Sequence, residues 1–395
     1  MSENKELKEM IGKVFNDIAD AIETGQFGKK IKIGLTTLGS EKGLENLLRG
    51  GEIAAKRGDY YQVVLIGPKV ETDLEIVEAN TEEEMHKKME ELLDSGYIDA
   101  CVTMHYNFPI GVATVGRVVT PARGKELFIT TTTGTSSPHR AEAMVKNAIY
   151  GIIAAKATGI KKPTVGILNV EGARQVERAL KELVANGYEI NFTESGRSDG
   201  GTVMRGNDLL TGTPDVMIQD SLTGNILMKM FSAFTTGGDY EASGFGYGPG
   251  IGEGYDRTIM ILSRASGTPV VANAIQYAAE LVKGNVKEVA KKEFQAAKKA
   301  KLDEILKSLT KDTKKAATED EGEVTAPPQE VATASIAGID IMDLEDAVKA
   351  LWKKGIYAES GMGCTGPIVM VNEGKLDTAV KVLAEAGFVA SPSPC

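Results

Sequence analysis

Cys364 stands in the stretch GMGCTGPIVM, residues 361–370, with glycines at 361, 363 and 366 around it and an apolar run after it. Two roles are open to such a residue. A free cysteine packs well as a small hydrophobe in a tight turn. Set among glycines, a thiol also has room for a substrate and lies among bare backbone N–H groups; those of Gly363 and Thr365 are the candidates for holding a thioester oxyanion. A thiol must ionise to attack, and the flanking glycines supply no charge, so whatever lowers its pKa comes from elsewhere in the chain.

A second set of residues suits anions. Three segments follow β-like runs and enter helices, the place where an open parallel sheet presents free N–H groups and a positive dipole end to a ligand. The first is TTTTGTSSPH, residues 130–139, with Gly134 and Ser136; here Ser137 is expected to cap the next helix and Pro138 to occupy its first position. The second is VEGAR, with Asn169 before it and Glu171 and Arg174 within it. The third is DSLTGNILMKM, with Asp220, Thr223, Gly224, Asn225 and Lys229. Each has a structural reading of caps, turns and a solvated lysine, but three together favour a small anionic ligand. Asp220 would repel phosphate, so its expected task is to cap the helix or orient a neighbour.

These segments need a scaffold. Runs such as KIGLTTL (32–38), YQVVLIG (61–67), IDACVTM (98–104), ELFIT (126–130), PTVGILN (163–169) and DVMIQD (215–220) alternate with helical stretches at 43–57, 81–95, 138–158 and 172–186. Short continuous apolar runs separated by helices are the pattern of a parallel sheet covered on both faces. The expected fold class is therefore α/β, a doubly wound, mostly parallel sheet with a small C-terminal α+β unit that carries the cysteine. The divisions are an N-terminal helix (1–30), the α/β body (31–309), a flexible linker (310–335) rich in charge, Thr, Ala and Pro, and the cysteine-bearing unit (336–395). Lysine-rich residues 283–315 are expected to form a helix with a solvated face, its apolar side being Val286, Ala290, Phe294, Ala297 and Ile305.

Composition excludes several classes of function. A formal net charge of −10 argues against nucleic acid, which is bound through clustered cations. The three cysteines, Cys101, Cys364 and Cys395, lie far apart with no CxxC pair, which argues against a disulfide framework or zinc knuckle. No uninterrupted apolar stretch reaches the length of a membrane span, and the charged amphipathic N-terminus is no secretory signal, so a cytoplasmic protein is expected. His105 and His139 follow strands and can line a crevice, whereas His86 is expected to be merely exposed on its helix. With no HExxH or paired-ligand spacing, neither metal nor other cofactor is expected. The glycine run GFGYGPGIGEG (244–254) lacks the dinucleotide spacing and reads as a mobile loop over the crevice.

Residues 98–230 resemble the phosphate acyltransferases of phospholipid synthesis, the PlsX family, above all in PTVGILNVEG (163–172), EINF (189–192) and PDVMIQDSLTGNILMK (214–229). That family forms acyl phosphates from acyl carriers and inorganic phosphate. Where it shows Asp-x-Gly-x-Asn, this chain has Thr132, Gly134 and Ser136, and where it shows Ser-Ala-Gly-Asn-Thr-Gly this chain runs Thr103-Met-His105-Tyr-Asn107-Phe; both departures weigh against a long fatty acyl substrate. The end of the chain, AESGMGCTGPIVMVNEGKLDTAVKVLAEAGF, is similar to the α subunits of component C in the glycine, sarcosine and betaine reductase complexes. The resemblance implies an acetyl-phosphate-forming subunit that receives a two-carbon group from selenoprotein A as a thioester on Cys364 and works beside a component C β subunit in a hetero-oligomer. It also points to the Asp220–Lys229 turn as the phosphate site, with Asn169, Arg174, Gly134 and Ser136 in support. Alternatives are a free-standing phosphate acyltransferase with Cys364 incidental, and a non-catalytic acyl or redox carrier.

Overall fold

The computed structural model describes residues 30–196, 201–316, 324–337, 339, 344–363, 366–386 and 388–389, with single positions at 12, 15, 18, 19 and 22. The expectation for 1–30 therefore lies almost wholly outside the described residues.

The body runs β1 (Ile31–Thr36), α1 (Leu44–Arg57), β2 (Tyr61–Gly67), β3 (Glu75–Glu78), α2 (Glu82–Asp94), β4 (Ala100–Thr103), β5 (Val112–Val119), β6 (Glu126–Thr135), α3 (Arg140–Ala157), β7 (Thr164–Leu168), α4 (Ala173–Ala185) and β8 (Asn191–Phe192). It continues with β9 (Val203–Met204), α5 (Gly206–Thr211), β10 (Val216–Ile218), α6 (Ser221–Ala233), β11 (Gly248–Ile251), β12 (Ile259–Ile261), α7 (Thr268–Lys283), α8 (Val286–Lys299) and α9 (Leu302–Ala316). Alternate residues of a strand face opposite sides. In β2, Val63 and Leu65 accordingly join the apolar cluster of one face and Val64 and Ile66 that of the other. Among the described residues, the first face is packed by α1, α3, α4, α7, α8 and α9, the second by α2, α5 and α6.

The sheet order is β3-β2-β1-β4-β12-β11-β5-β6-β10-β7-β8, with β9 also on β7. Strands β3, β2, β1, β4 and β12 are mutually parallel. So are β6, β10, β7, β8 and β9. Between the two blocks lie three successive antiparallel pairings, β12 to β11, β11 to β5 and β5 to β6, so the blocks run in opposite directions. They are also staggered. Thr103 is level with Ile261, Ile261 with Gly248, and Val115 with Thr130, itself level with Ile218. The carboxyl ends of β4 and β12 thus meet the carboxyl end of β10 from the other side.

Several expectations change. The glycine run is no mobile cover: Gly244–Gly252 are buried, and β11 is the strand that joins the two blocks. A Cβ at Gly248 would lie 1.7 Å from the Val115 carbonyl oxygen, so glycine is what lets the strands approach. The lysine-rich helix is two helices, broken between Lys299 and Leu302 where Lys301 takes φ 65°; Gly284 and Asn285 (φ 53°) separate α8 from α7. Helix α3 starts at Arg140, with His139 in the cap position; Ser137 Oγ instead accepts the His139 N–H at 3.2 Å. His86 is half-buried rather than exposed, because α2 lays it against the end of β4, with Nε2 3.5 Å from Thr103 Oγ1.

Helix α9 continues to Ala316, past the expected start of the linker, and regular structure resumes with β13 (Ala334–Ala337). Then follow α10 (Leu344–Lys353), β14 (Ala358–Gly363), β15 (Gly366–Val371) and α11 (Leu376–Glu385). The three strands form an antiparallel sheet in the order β13-β15-β14, under which Ala347, Leu351, Val369, Val371, Ala379 and Leu383 make a separate small core.

Candidate functional site

Arg140, the first residue of α3, draws the three anion-suited segments together. Its guanidinium donates to Glu171 of the β7 loop at 3.1 Å and to Asp220 at the end of β10 at 3.0 Å. Asp220 caps α6: Oδ1 accepts the Thr223 N–H at 3.1 Å and Oδ2 the Thr223 hydroxyl at 2.6 Å. The first turn of α6 is pressed onto β6. Asn225 Nδ2 donates to the Thr132 carbonyl at 2.9 Å, and a Cβ at Gly224 would lie 1.8 Å from the Thr131 carbonyl oxygen. Lys229, one turn further, is exposed, with Nζ 5.8 Å from the Tyr247 ring centre. The geometry therefore gives a rigid helix N-terminus with one lysine that forms no ion pair among the described residues and one arginine held by two carboxylates.

Other expected residues are placed differently. Arg174 is exposed and pairs at 2.9 Å with Glu177 of its own helix, so its charge runs along α4 and not into the crevice. Asn169 is exposed, its N–H given to the Met204 carbonyl at 2.9 Å. Ser136 is buried beneath α3, where its hydroxyl donates to Asn147 Oδ1 at 2.7 Å. A hydroxyl so committed is withdrawn from any ligand. Gly134, with φ 79°, sits on the rim of a cleft described below.

Two residues escaped the reading of the sequence. Arg140 looks there like an ordinary solvated helix cation, its partners lying 31 and 80 residues away. Gln219 is fully buried at the end of β10, and neither its Nε2 nor its Oε1 has a hydrogen-bond partner. An orphaned buried amide costs about 1–3 kcal/mol. No signal in the sequence marks it.

From the opposing block come His105 and its neighbours, after β4. Burial pushes the His105 imidazole below its ordinary pKa, and the nearby His86 and Arg264 push it further, which favours the neutral ring. Tyr106, Asn107 and Phe108, next in the chain, line a cleft of about 490 Å³. Its other walls are Thr133–Thr135 at the end of β6, residues 329–332, and Glu359–Met362 of β14. The hairpin strand that leads toward Cys364 thus faces the carboxyl end of β6. Gly363 pairs with Gly366. Cys364 and Thr365, between them in sequence, lie outside the described residues. Among the described residues no cluster of three or more His, Cys, Asp or Glu is arranged to hold a metal ion, and no helix is long and apolar enough to cross a membrane.

A sheet of this kind with its opposed anion-suited turns defines a class, and the family model described as fatty acid synthesis protein matches residues 31–370: the chain belongs to that family. More particularly, it is 69% identical to the glycine/sarcosine/betaine reductase complex component C subunit alpha of Peptoclostridium acidaminophilum, over 98% of this chain and 100% of that protein. It is 26% identical to the phosphate acyltransferase of Thermotoga petrophila, over 51% of this chain and 67% of that protein. Among solved structures, a branched-chain phosphotransacylase from Enterococcus faecalis aligns with a TM-score of 0.45 at 14% identity, covering 64% of this chain and 99% of that one.

Proposed function

We propose that the chain is the α-type subunit of component C in a glycine, sarcosine or betaine reductase complex, and that it passes a two-carbon acyl group from a thioester on Cys364 to inorganic phosphate, giving acetyl phosphate. The observation that carries this reading is the cleft in which β14, on the approach to Cys364, meets the carboxyl end of β6. The 69% identical relative supports the complex, and the phosphate acyltransferase relatives support the phosphate chemistry.

In this reading selenoprotein A delivers the two-carbon group, and a component C β subunit completes a cytoplasmic hetero-oligomer. Phosphate binds at the α6 N-terminus, held by backbone N–H groups, Asn225 and Lys229, with Asp220 fixing the turn and Arg140 balancing the Asp220 charge. A phosphate oxygen then attacks the thioester carbonyl; the C–O bond forms, the C–S bond breaks and the electron pair leaves on the Cys364 sulfur. Exchanging a thioester for a mixed anhydride changes little in free energy, so the protein's task is to position the two reactants.

The test is to incubate the protein with acetyl phosphate, digest it, and weigh the peptide that contains Cys364. A gain of one acetyl group is expected, absent in Cys364→Ser. Wild-type rates of arsenolysis of acetyl phosphate in Cys364→Ser would overturn the role of the thiol and leave a free-standing phosphate acyltransferase.

A further inference from the structure

Tyr247 is buried where the two blocks of the sheet meet, and none of the chemistry proposed above uses it. Its N–H donates to the Ile261 carbonyl of β12 at 2.9 Å, and its carbonyl accepts the Thr132 hydroxyl of β6 at 2.7 Å. The side chain is fixed as well. Its phenol donates to Glu241 Oε1 at 2.9 Å, while Glu241 Oε2 accepts the Ser266 hydroxyl at 2.8 Å. Glu241 is 3% exposed, and among the described residues no cation pairs with it. A carboxylate taken out of water and left with two hydroxyl donors is costly to keep. What it secures is the direction of the Tyr247 ring.

That ring serves both residues to which the proposed function gives phosphate. Lys229 Nζ lies 5.8 Å from its centre, within reach of a cation–π attraction. Asn225, which shares a face of α6 with Lys229, donates through Nδ2 to the carbonyl of Thr132, whose hydroxyl holds the Tyr247 carbonyl. Thr132 thus fixes the ring and the first turn of α6 relative to each other. We propose that Tyr247 is a positioning residue for phosphate: its ring, oriented by Glu241, directs the Lys229 ammonium toward the α6 N-terminus. The inference rests on the phosphate site proposed above. An exposed lysine side chain is flexible and loses that freedom when it grips a ligand, and a ring that directs it beforehand reduces the loss. The effect therefore falls on phosphate affinity and not on the turnover of bound phosphate.

The test is a double-mutant cycle on the dissociation constant of inorganic phosphate, read by calorimetry on the full chain. Lys229→Ala should weaken binding roughly 10-fold and Tyr247→Leu about 5-fold, with Tyr247→Met as a second ringless variant should the leucine not fold. Lys229→Ala combined with either should bind no more weakly than Lys229→Ala alone, since without the ammonium the ring has nothing to direct. Tyr247→Phe gives up the hydrogen bond to Glu241 but keeps the ring, and should bind within about threefold of wild type even where its melting temperature falls. Losses that multiply in the double variant would overturn the proposal and leave the phosphate site standing. Affinities that follow the melting temperature through the Tyr247 variants would overturn it too, the role then being one of fold alone. Unchanged affinity in Lys229→Ala would overturn the phosphate site itself, and this inference with it.

Discussion

Helices α4 and α6 are both 13 residues long and follow neighbouring parallel strands, β7 and β10. They solve opposite problems. Helix α4 faces water with Arg174, Arg178, Lys181 and Glu182, and Arg174 and Lys181 close onto Glu177. Helix α6 turns Leu222, Ile226 and Met230 outward and carries Lys229 among them, with no ion pair to it among the described residues. At their starts the contrast repeats: nothing lies within 4 Å of a Cβ built at Gly172, before α4, whereas Gly224 is jammed against β6. A strand-to-helix turn is a potential anion site by topology alone, yet only one of these two is both rigid and supplied with an uncommitted cation. Spacing proposes such a site, and packing decides between candidates.

The sharpest break in the comparison is steric. Gly224→Ala puts a methyl group into a backbone carbonyl that cannot step aside, and should cost about 3 kcal/mol in urea unfolding. Gly172→Ala meets only the penalty of its φ of 79°, about 1 kcal/mol. Equal losses would show that the two turns are packed alike.

Next is the charge network of α4. Burial alone would raise the pKa of Glu177, but hydrogen bonds from Lys181, Arg174 and Thr202 overcome it and hold the carboxyl at about 2, from an ordinary 4.5. A folded-state pKa below the unfolded one means that the stabilisation is complete above about pH 4.5 and lost as pH falls toward 2. Glu177→Gln should therefore destabilise the protein by about 2 kcal/mol at neutral pH, with the gap to wild type closing through that acid window. A gap that stays constant down to pH 2 would mean the loss is one of shape and not of charge.

The mildest contrast is functional. Asn225→Ala and Lys229→Ala should raise half-saturating phosphate roughly 10-fold while leaving Cys364 able to accept an acetyl group. Arg174→Ala should change it less than about twofold, its charge being spent on Glu177. A larger effect at Arg174 than at Lys229 would exchange the roles of the two turns.

The strands that the sequence announced are those with continuous apolar runs, such as β2, whose limits of 61 and 67 match the expectation. What stayed hidden was written in atypical residues. Strand β5 carries Arg117 in its middle, which looks like surface until Glu126 and Glu280 are seen to close on its guanidinium and Phe245 and Tyr277 to flank it. Strand β11 is half glycine and looked like a loop, because the steric demand that makes it glycine comes from β5 at Gly248 and from the Phe108 ring at Gly250, both far away in sequence. With both unseen, the reversal of direction across the sheet was unseen too. At the site, the residues at strand ends were legible by type, but their partners were not. Ser136 and Arg174 have the right chemistry and spend it on Asn147 and Glu177; the first contact is encoded by no local pattern, whereas the second is an i,i+3 pair that the helical spacing of α4 already offered.

The joining strand also sets an order of events during synthesis. By Thr135 a growing chain contains β1, β2, β4 and the β5–β6 hairpin, yet β4 is left with one edge bare. The strand that covers it, β12, leaves the ribosome only with residues 259–261, directly after the glycines of β11. Closing so long a loop is slow, since its entropy is lost before the contacts repay it. Until then the nascent protein is two half-sheets with facing unpaired edges, which are the edges that neighbouring chains can capture. The glycine strand therefore acts as the latch of the folding reaction, and a lesion there would be felt in yield and aggregation before any catalytic assay could be run.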